Sequence, residues 1–68
     1  MDFVARMVVE KQELDDKLVK LKQFLSSDRM DLISNPMREL MLTQEDAMMV
    51  YSRALGDRLA ILKSQEPV

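Results

Sequence analysis

The chain has 68 residues, 32% charged and 47% hydrophobic, with one Gly and two Pro, a length and composition that confine it to one small domain and favour helix over sheet. Having no Cys and no His, it can build no disulfide framework and offers neither thiol nor imidazole, so most nucleophilic and zinc chemistry is excluded and no cofactor is expected. Ten basic against twelve acidic residues give a net charge of -2, which argues against a broad grip on DNA but leaves room for a compact anionic ligand. No stretch approaches about 20 uninterrupted apolar residues and the amino terminus lacks a basic, apolar and small-residue leader pattern, so a soluble protein without membrane contact is expected. A chain this short buries little apolar surface for each residue it orders, and self-association is the expected source of stability.

Residues 2–25 contain no Gly or Pro, and Met7, Leu14, Leu18, Leu21 and Leu25 recur at spacings of seven, four, three and four, the pattern of one long amphipathic helix. On its outer face Glu13 precedes Lys17, and Asp16 precedes Lys20, at i,i+4 in the favourable order. The pattern falters at Ser26-Ser27-Asp28, whose short polar side chains compete for backbone hydrogen bonds. Residues 26–35 read as a connector in which Met30, Leu32 and Ile33 form one helical turn that plugs the end of a hairpin. Asn35-Pro36 reads as N-cap and first helical position. A second helix is expected over 36–63, tolerating Gly56 at about 1 kcal/mol relative to Ala, and the tail 64–68 is expected to fray.

The second helix carries more apolar residues than one stripe holds, among them Met37, Leu40, Met41, Met48, Leu55, Leu59, Ile61 and Leu62. A single partner helix cannot bury them all. The expected fold is therefore all-α: a hairpin of two long helices whose second helix packs against other copies in a homo-oligomeric bundle.

Gln44, Tyr51 and Arg58 stand seven apart on that helix, on a face shared with Met48, Leu55 and Leu62. Read plainly, Arg58 carries its guanidinium out to solvent, Tyr51 packs its ring, and Gln44 fixes register. Read functionally, an arginine on an assembly face meets its symmetry mates, and clustered guanidinium groups repel unless an anion, most naturally phosphate, sits between them. Phe3 and Lys17 lie two heptads apart on one side of the first helix, roughly 21 Å along its axis. If both touch one small ligand, they come from different chains; the plain alternative makes Phe3 a terminal apolar plug and Lys17 a solvated charge. Seven Met residues suit an adaptable groove or the core of an oligomer. The carboxylates form no convincing catalytic dyad and the one Gly lies mid-helix, so no phosphate-cradling loop is present and no enzymatic activity is expected. A minimal helical enzyme of chorismate-mutase type is disfavoured because Arg6, Arg38, Arg53 and Arg58 are not expected to converge and the chain lacks a full third helix.

An ordered set of residues resembles a known family. It comprises Phe3, Arg6, the run Glu10-Lys11 through Glu13-Leu14, Lys17, Leu21 and Phe24, then Arg38-Glu39-Leu40, Gln44, Met48, Tyr51, Leu55 and Arg58. The family is that of the small all-helical anti-CBASS sponges of bacteriophages, which bind the cyclic oligonucleotide messengers of bacterial immunity. The resemblance covers most of the chain. It implies helical hairpins assembled into hexamers that hold cyclic dinucleotides between pairs of protomers, and in some members cyclic trinucleotides where three protomers meet, without cleaving them. It implies a cyclic dinucleotide site at Phe3, Arg6, Lys11 and Lys17, with Phe3 stacked on a base and Lys17 near a phosphate, and a cyclic trinucleotide site at Lys20 and Arg58. Lys17 and Lys20 lie about a turn apart, and either could be the phosphate contact. The stacking residue of the family is typically tyrosine; phenylalanine keeps the ring and loses the hydroxyl hydrogen bond. The implied place of action is the host bacterial cytoplasm, where capture of a messenger such as cyclic GMP-AMP blocks CBASS effector activation. A structural adaptor bundle with no small ligand is the competing expectation.

Overall fold

The computed structural model describes residues 2–65. They form α1 (Phe3–Leu25), a 3-10 turn over Asp28–Leu32, and α2 (Asn35–Ser64), with the two long helices folded back on each other in a hairpin measuring 53 × 17 × 16 Å. The Asp2 carboxylate starts α1 by accepting the Ala5 N–H at 2.7 Å, satisfying one of the donors a helix start leaves open. The Ser26 and Ser27 hydroxyls end it by donating to the Lys22 and Phe24 carbonyls at 3.0 and 2.7 Å. At the start of α2 the cap is Ser34 rather than Asn35: its hydroxyl accepts the Met37 N–H at 3.4 Å, and Asn35 is already helical. Serine and asparagine are nearly equal as caps, so neighbouring candidates are decided by which side chain reaches the open donor. Helix α2 runs one residue past the expected Lys63, to Ser64, with Gln65 as its C-cap; the rest of the expected tail lies outside the described residues.

The connector differs from its expectation in one side chain. Met30 is buried and Ile33 half-buried, but Leu32 is 86% exposed and takes no part in the plug. A 3-10 turn has three residues per turn and stacks i over i+3, which aligns Met30 with Ile33 and turns Leu32 away. Arg38 ties this turn to α2 by donating from Nη2 to the Met30 carbonyl at 3.0 Å.

Along the seam, half-buried or buried residues recur every three or four positions: Val4, Met7, Lys11, Leu14, Leu18, Leu21 and Leu25 on α1, and Met41, Glu45, Met48, Ser52, Leu55, Leu59 and Leu62 on α2. That repeat is the signature of helices packing side by side. Met7, Leu14 and Leu55 form its core, with Met48, Leu59 and Leu62 packed against them. The gap in the leucine pattern between Met7 and Leu14 is filled by Lys11. Its Nζ donates to Asp15 Oδ2 at 2.7 Å and to Ser52 Oγ at 3.2 Å, while the Ser52 hydroxyl donates to Asp15 Oδ1 at 2.5 Å. A Cβ on Gly56 would stand 3.3 Å from Lys11 Cε, so the glycine leaves room for the lysine stem.

The Lys11 and Ser52 hydrogen bonds, aided by the lysine charge and opposed by desolvation, hold the Asp15 carboxyl below its ordinary value of 3.8. A carboxylate with a depressed folded-state pKa stabilises the fold in full above its unfolded value, about 4, and loses that contribution as pH falls through the lower folded value. We expect thermal stability to fall more steeply below about pH 4 in the wild-type protein than in Asp15→Asn. Superimposable acid profiles of melting temperature would contradict the linkage.

Helix α2 carries a second heptad stripe that the hairpin leaves bare. Met37, Leu40, Tyr51 and Ile61 are 51%, 65%, 45% and 57% exposed, in phase with exposed Gln44, Ala47, Ala54 and Arg58. At about 100° per residue this stripe lies roughly a quarter turn from the seam. The face that the sequence grouped together is thus split: Met48, Leu55 and Leu62 pack in the seam, whereas Gln44, Tyr51 and Arg58 lie exposed outside it. The accessible surface is 5500 Å², against about 4,400 Å² for a compact protein of this mass.

Candidate functional site

Folding the chain back at the connector brings the first turns of α1 beside the last turns of α2. Phe3 opens α1 and is 54% exposed. The Arg58 guanidinium carbon sits 5.8 Å from the centre of its ring, within cation–π range. Arg6, one turn further along α1, together with Met7 and Glu10, completes a cleft of about 300 Å³ around these two. An adjoining hollow of about 220 Å³ continues past Phe3 and Arg58 to the apolar side chains of Ile61 and Leu62. Arg6 and Glu10 stand at i,i+4, yet among the described residues the one ion pair is Lys11 with Asp15. The cleft therefore combines an accessible aromatic face, two guanidinium forks, an apolar floor and an unpaired carboxylate. A ring of this kind stacks on a base, and guanidinium groups bind phosphate through paired, charge-assisted hydrogen bonds.

The other residues singled out in the sequence lie elsewhere on the protomer. Lys11 is in the seam with its Nζ engaged by Asp15 and Ser52, and its stem faces a separate groove of about 310 Å³ on the side of Val8 and Lys63. Lys17 is exposed on α1, roughly 21 Å along the axis from Phe3. Lys20 lines a hollow of about 390 Å³ near the connector, with Phe24, Ser27 and Arg29, roughly 25 Å from Phe3. One protomer thus unites Phe3, Arg6 and Arg58 and holds Lys17 and Lys20 apart from them.

The fold brings together residues that stand far apart in the sequence. Arg6 and Arg58 do converge, lining the same cleft, because the fold cancels their separation along the chain. Phe3 and Arg58, expected in two different ligand sites, are neighbours within a single chain. Glu10, to which the sequence assigned no part in a ligand site, lines the cleft as well. The signal that could have found this constellation is the hairpin itself, since a chain folded back near Asp31 sets the start of α1 opposite the last turns of α2. Among the described residues no cluster of acidic side chains is arranged to hold a metal ion, and no helix is long and apolar enough to cross a membrane.

No curated protein and no solved structure matches the chain. The Sequestin family model matches residues 1–61, a span that contains the seam almost entirely and every residue lining the Phe3, Arg6 and Arg58 cleft. A match over that much of the molecule shows the family: the chain belongs to the Sequestin family, the anti-CBASS sponges that its residues resemble.

Proposed function

We propose that the protein captures cyclic oligonucleotide second messengers, holds them without cleaving them, and so keeps them from CBASS effectors in the cytoplasm of the infected bacterium. Its ligands on this reading are cyclic dinucleotides such as cyclic GMP-AMP, and cyclic trinucleotides as well. The observation that carries the reading is the cleft in which Arg58 lies 5.8 Å from the Phe3 ring and Arg6 lines the same wall. Stacking contributes about 1–3 kcal/mol per base and a charge-assisted hydrogen bond about 1.5–3 kcal/mol before the costs of association. These side chains suit a ligand that offers a base and a phosphate close together. A net charge of -2 is no obstacle, since local potential and preorganisation govern affinity for a compact anion.

The bare stripe on α2 supports assembly into a homo-oligomer, a hexamer on the family's pattern. Burying Leu40, Tyr51 and Ile61 between copies would supply the stability that one seam lacks. It would also let Lys17 or Lys20 of one protomer approach the cleft of another, which the separation within a single chain forbids.

Incubation with cyclic GMP-AMP followed by denaturation is expected to release the nucleotide intact and in stoichiometric amount. Recovery of linear product would contradict capture. A thermal scan with saturating cyclic nucleotide is expected to raise the melting temperature, because a ligand at 100 times its Kd stabilises the folded state by about 2.7 kcal/mol. No shift across a panel of cyclic di- and trinucleotides would favour an adaptor bundle with no small ligand.

A further inference from the structure

We infer that Glu10 makes the cleft selective for guanine, so that the preferred ligand is a guanine-containing cyclic dinucleotide; the inference rests on the cyclic-nucleotide reading above. Glu10 is the one carboxylate lining the cleft that Phe3, Arg6 and Arg58 form. It lies about 10 Å along α1 from Phe3, two turns on and on the same side of the helix. It stands at the spacing at which Arg6 could neutralise it, yet the two form no ion pair. An unpaired carboxylate in a cleft for phosphates repels every ligand of that class unless it accepts hydrogen bonds from the part of the ligand that carries no charge.

Guanine answers that requirement. Its Watson–Crick edge presents N1–H and the N2 amino group side by side, and the two oxygens of one carboxylate can accept both bonds in a single plane. Adenine sets its N6 amino group beside the N1 lone pair, and cytosine sets its N4 amino group beside the N3 lone pair, so each aims a lone pair at one carboxylate oxygen. Uracil flanks its single N–H with two carbonyls. With a base stacked on Phe3 and its phosphates toward Arg6 and Arg58, a carboxylate at Glu10 favours guanine and disfavours the other three.

The full chain is titrated calorimetrically with cyclic di-GMP and with cyclic di-AMP, as wild type, Glu10→Gln and Glu10→Ala, with light scattering to establish that each variant keeps the wild-type mass. Wild type is expected to bind cyclic di-GMP about tenfold or more tighter than cyclic di-AMP, the discrimination typical of one bidentate contact. Glu10→Gln, whose amide offers one acceptor and one donor, is expected to lose about tenfold on cyclic di-GMP and to gain on cyclic di-AMP. Glu10→Ala should lose the preference and bind both ligands alike. If both variants tighten the two ligands by the same factor, Glu10 acts only as a repulsive charge; guanine selection is then overturned and capture stands. If wild type binds neither ligand nor any other cyclic oligonucleotide, both readings fall.

Discussion

Replacing Leu55 by alanine is expected to destabilise the hairpin by about 2–5 kcal/mol, the range for removing a fully buried leucine side chain. Leu55 is 1% exposed, and Met7, Leu14 and Met30 are the other buried residues of the described chain. Within the seam core it meets Met7 and Leu14, with Met48, Leu59 and Leu62 around them. No second core lies behind it to collapse into the cavity. Because small domains hold only about 5–15 kcal/mol in total, the loss should be plain in urea unfolding. Leu40→Ala is the informative companion: at 65% exposure it costs little in a lone hairpin, and much if the bare stripe is buried between copies. Unfolding at several protein concentrations separates the two, since only an assembled protein has a midpoint that depends on concentration. A Leu55→Ala midpoint equal to that of the wild type would contradict the seam.

Phe3→Ala and Arg58→Ala are each expected to weaken cyclic dinucleotide binding by about 10- to 100-fold, one through lost stacking and the other through a lost charge-assisted bond. Because Arg58 lies 5.8 Å from the Phe3 ring, the two losses should not be independent: the double variant should bind more tightly than the product of the single losses predicts. Arg58→Lys should restore little, since an ammonium lacks the planar fork. Calorimetric titration of the four proteins, with mass checked by light scattering, measures the coupling. Additive losses would show that the proximity of ring and guanidinium plays no part in binding. A loss for Arg58→Ala confined to cyclic trinucleotides would return Arg58 to a site of its own, built between protomers.

The leucine repeat of α1 was readable because a helix facing one partner keeps a single periodicity, and Met7, Leu14, Leu18, Leu21 and Leu25 hold to it. Lys11 shows where periodicity is blind: a charge in an apolar seam looks like an interruption until Asp15 and Ser52, one of them on the other helix, are seen to satisfy it. Gly56 is similar, a cost to its own helix that makes sense only beside the lysine stem. The surplus of apolar residues on α2 was evident from composition, but their division into a seam and a bare stripe was not. The two stripes are only about a quarter turn apart, and which of them meets α1 depends on how the helices rotate against each other. In the connector, Leu32 and Met30 are both apolar, and the three-residue turn separates the exposed one from the buried one.

The sequence by itself determined two long helices broken at the serines, the leucine face of the first, and a second helix too apolar for one partner, because all of these follow from local spacing and side-chain chemistry. Only the tertiary structure decided that Arg58 meets Phe3, that Arg6 and Glu10 share their cleft, and that Lys11 is drawn into the seam. Those pairings join residues tens of positions apart. They depend on the register and rotation of one helix against the other, which many side chains set together and no short stretch of sequence encodes.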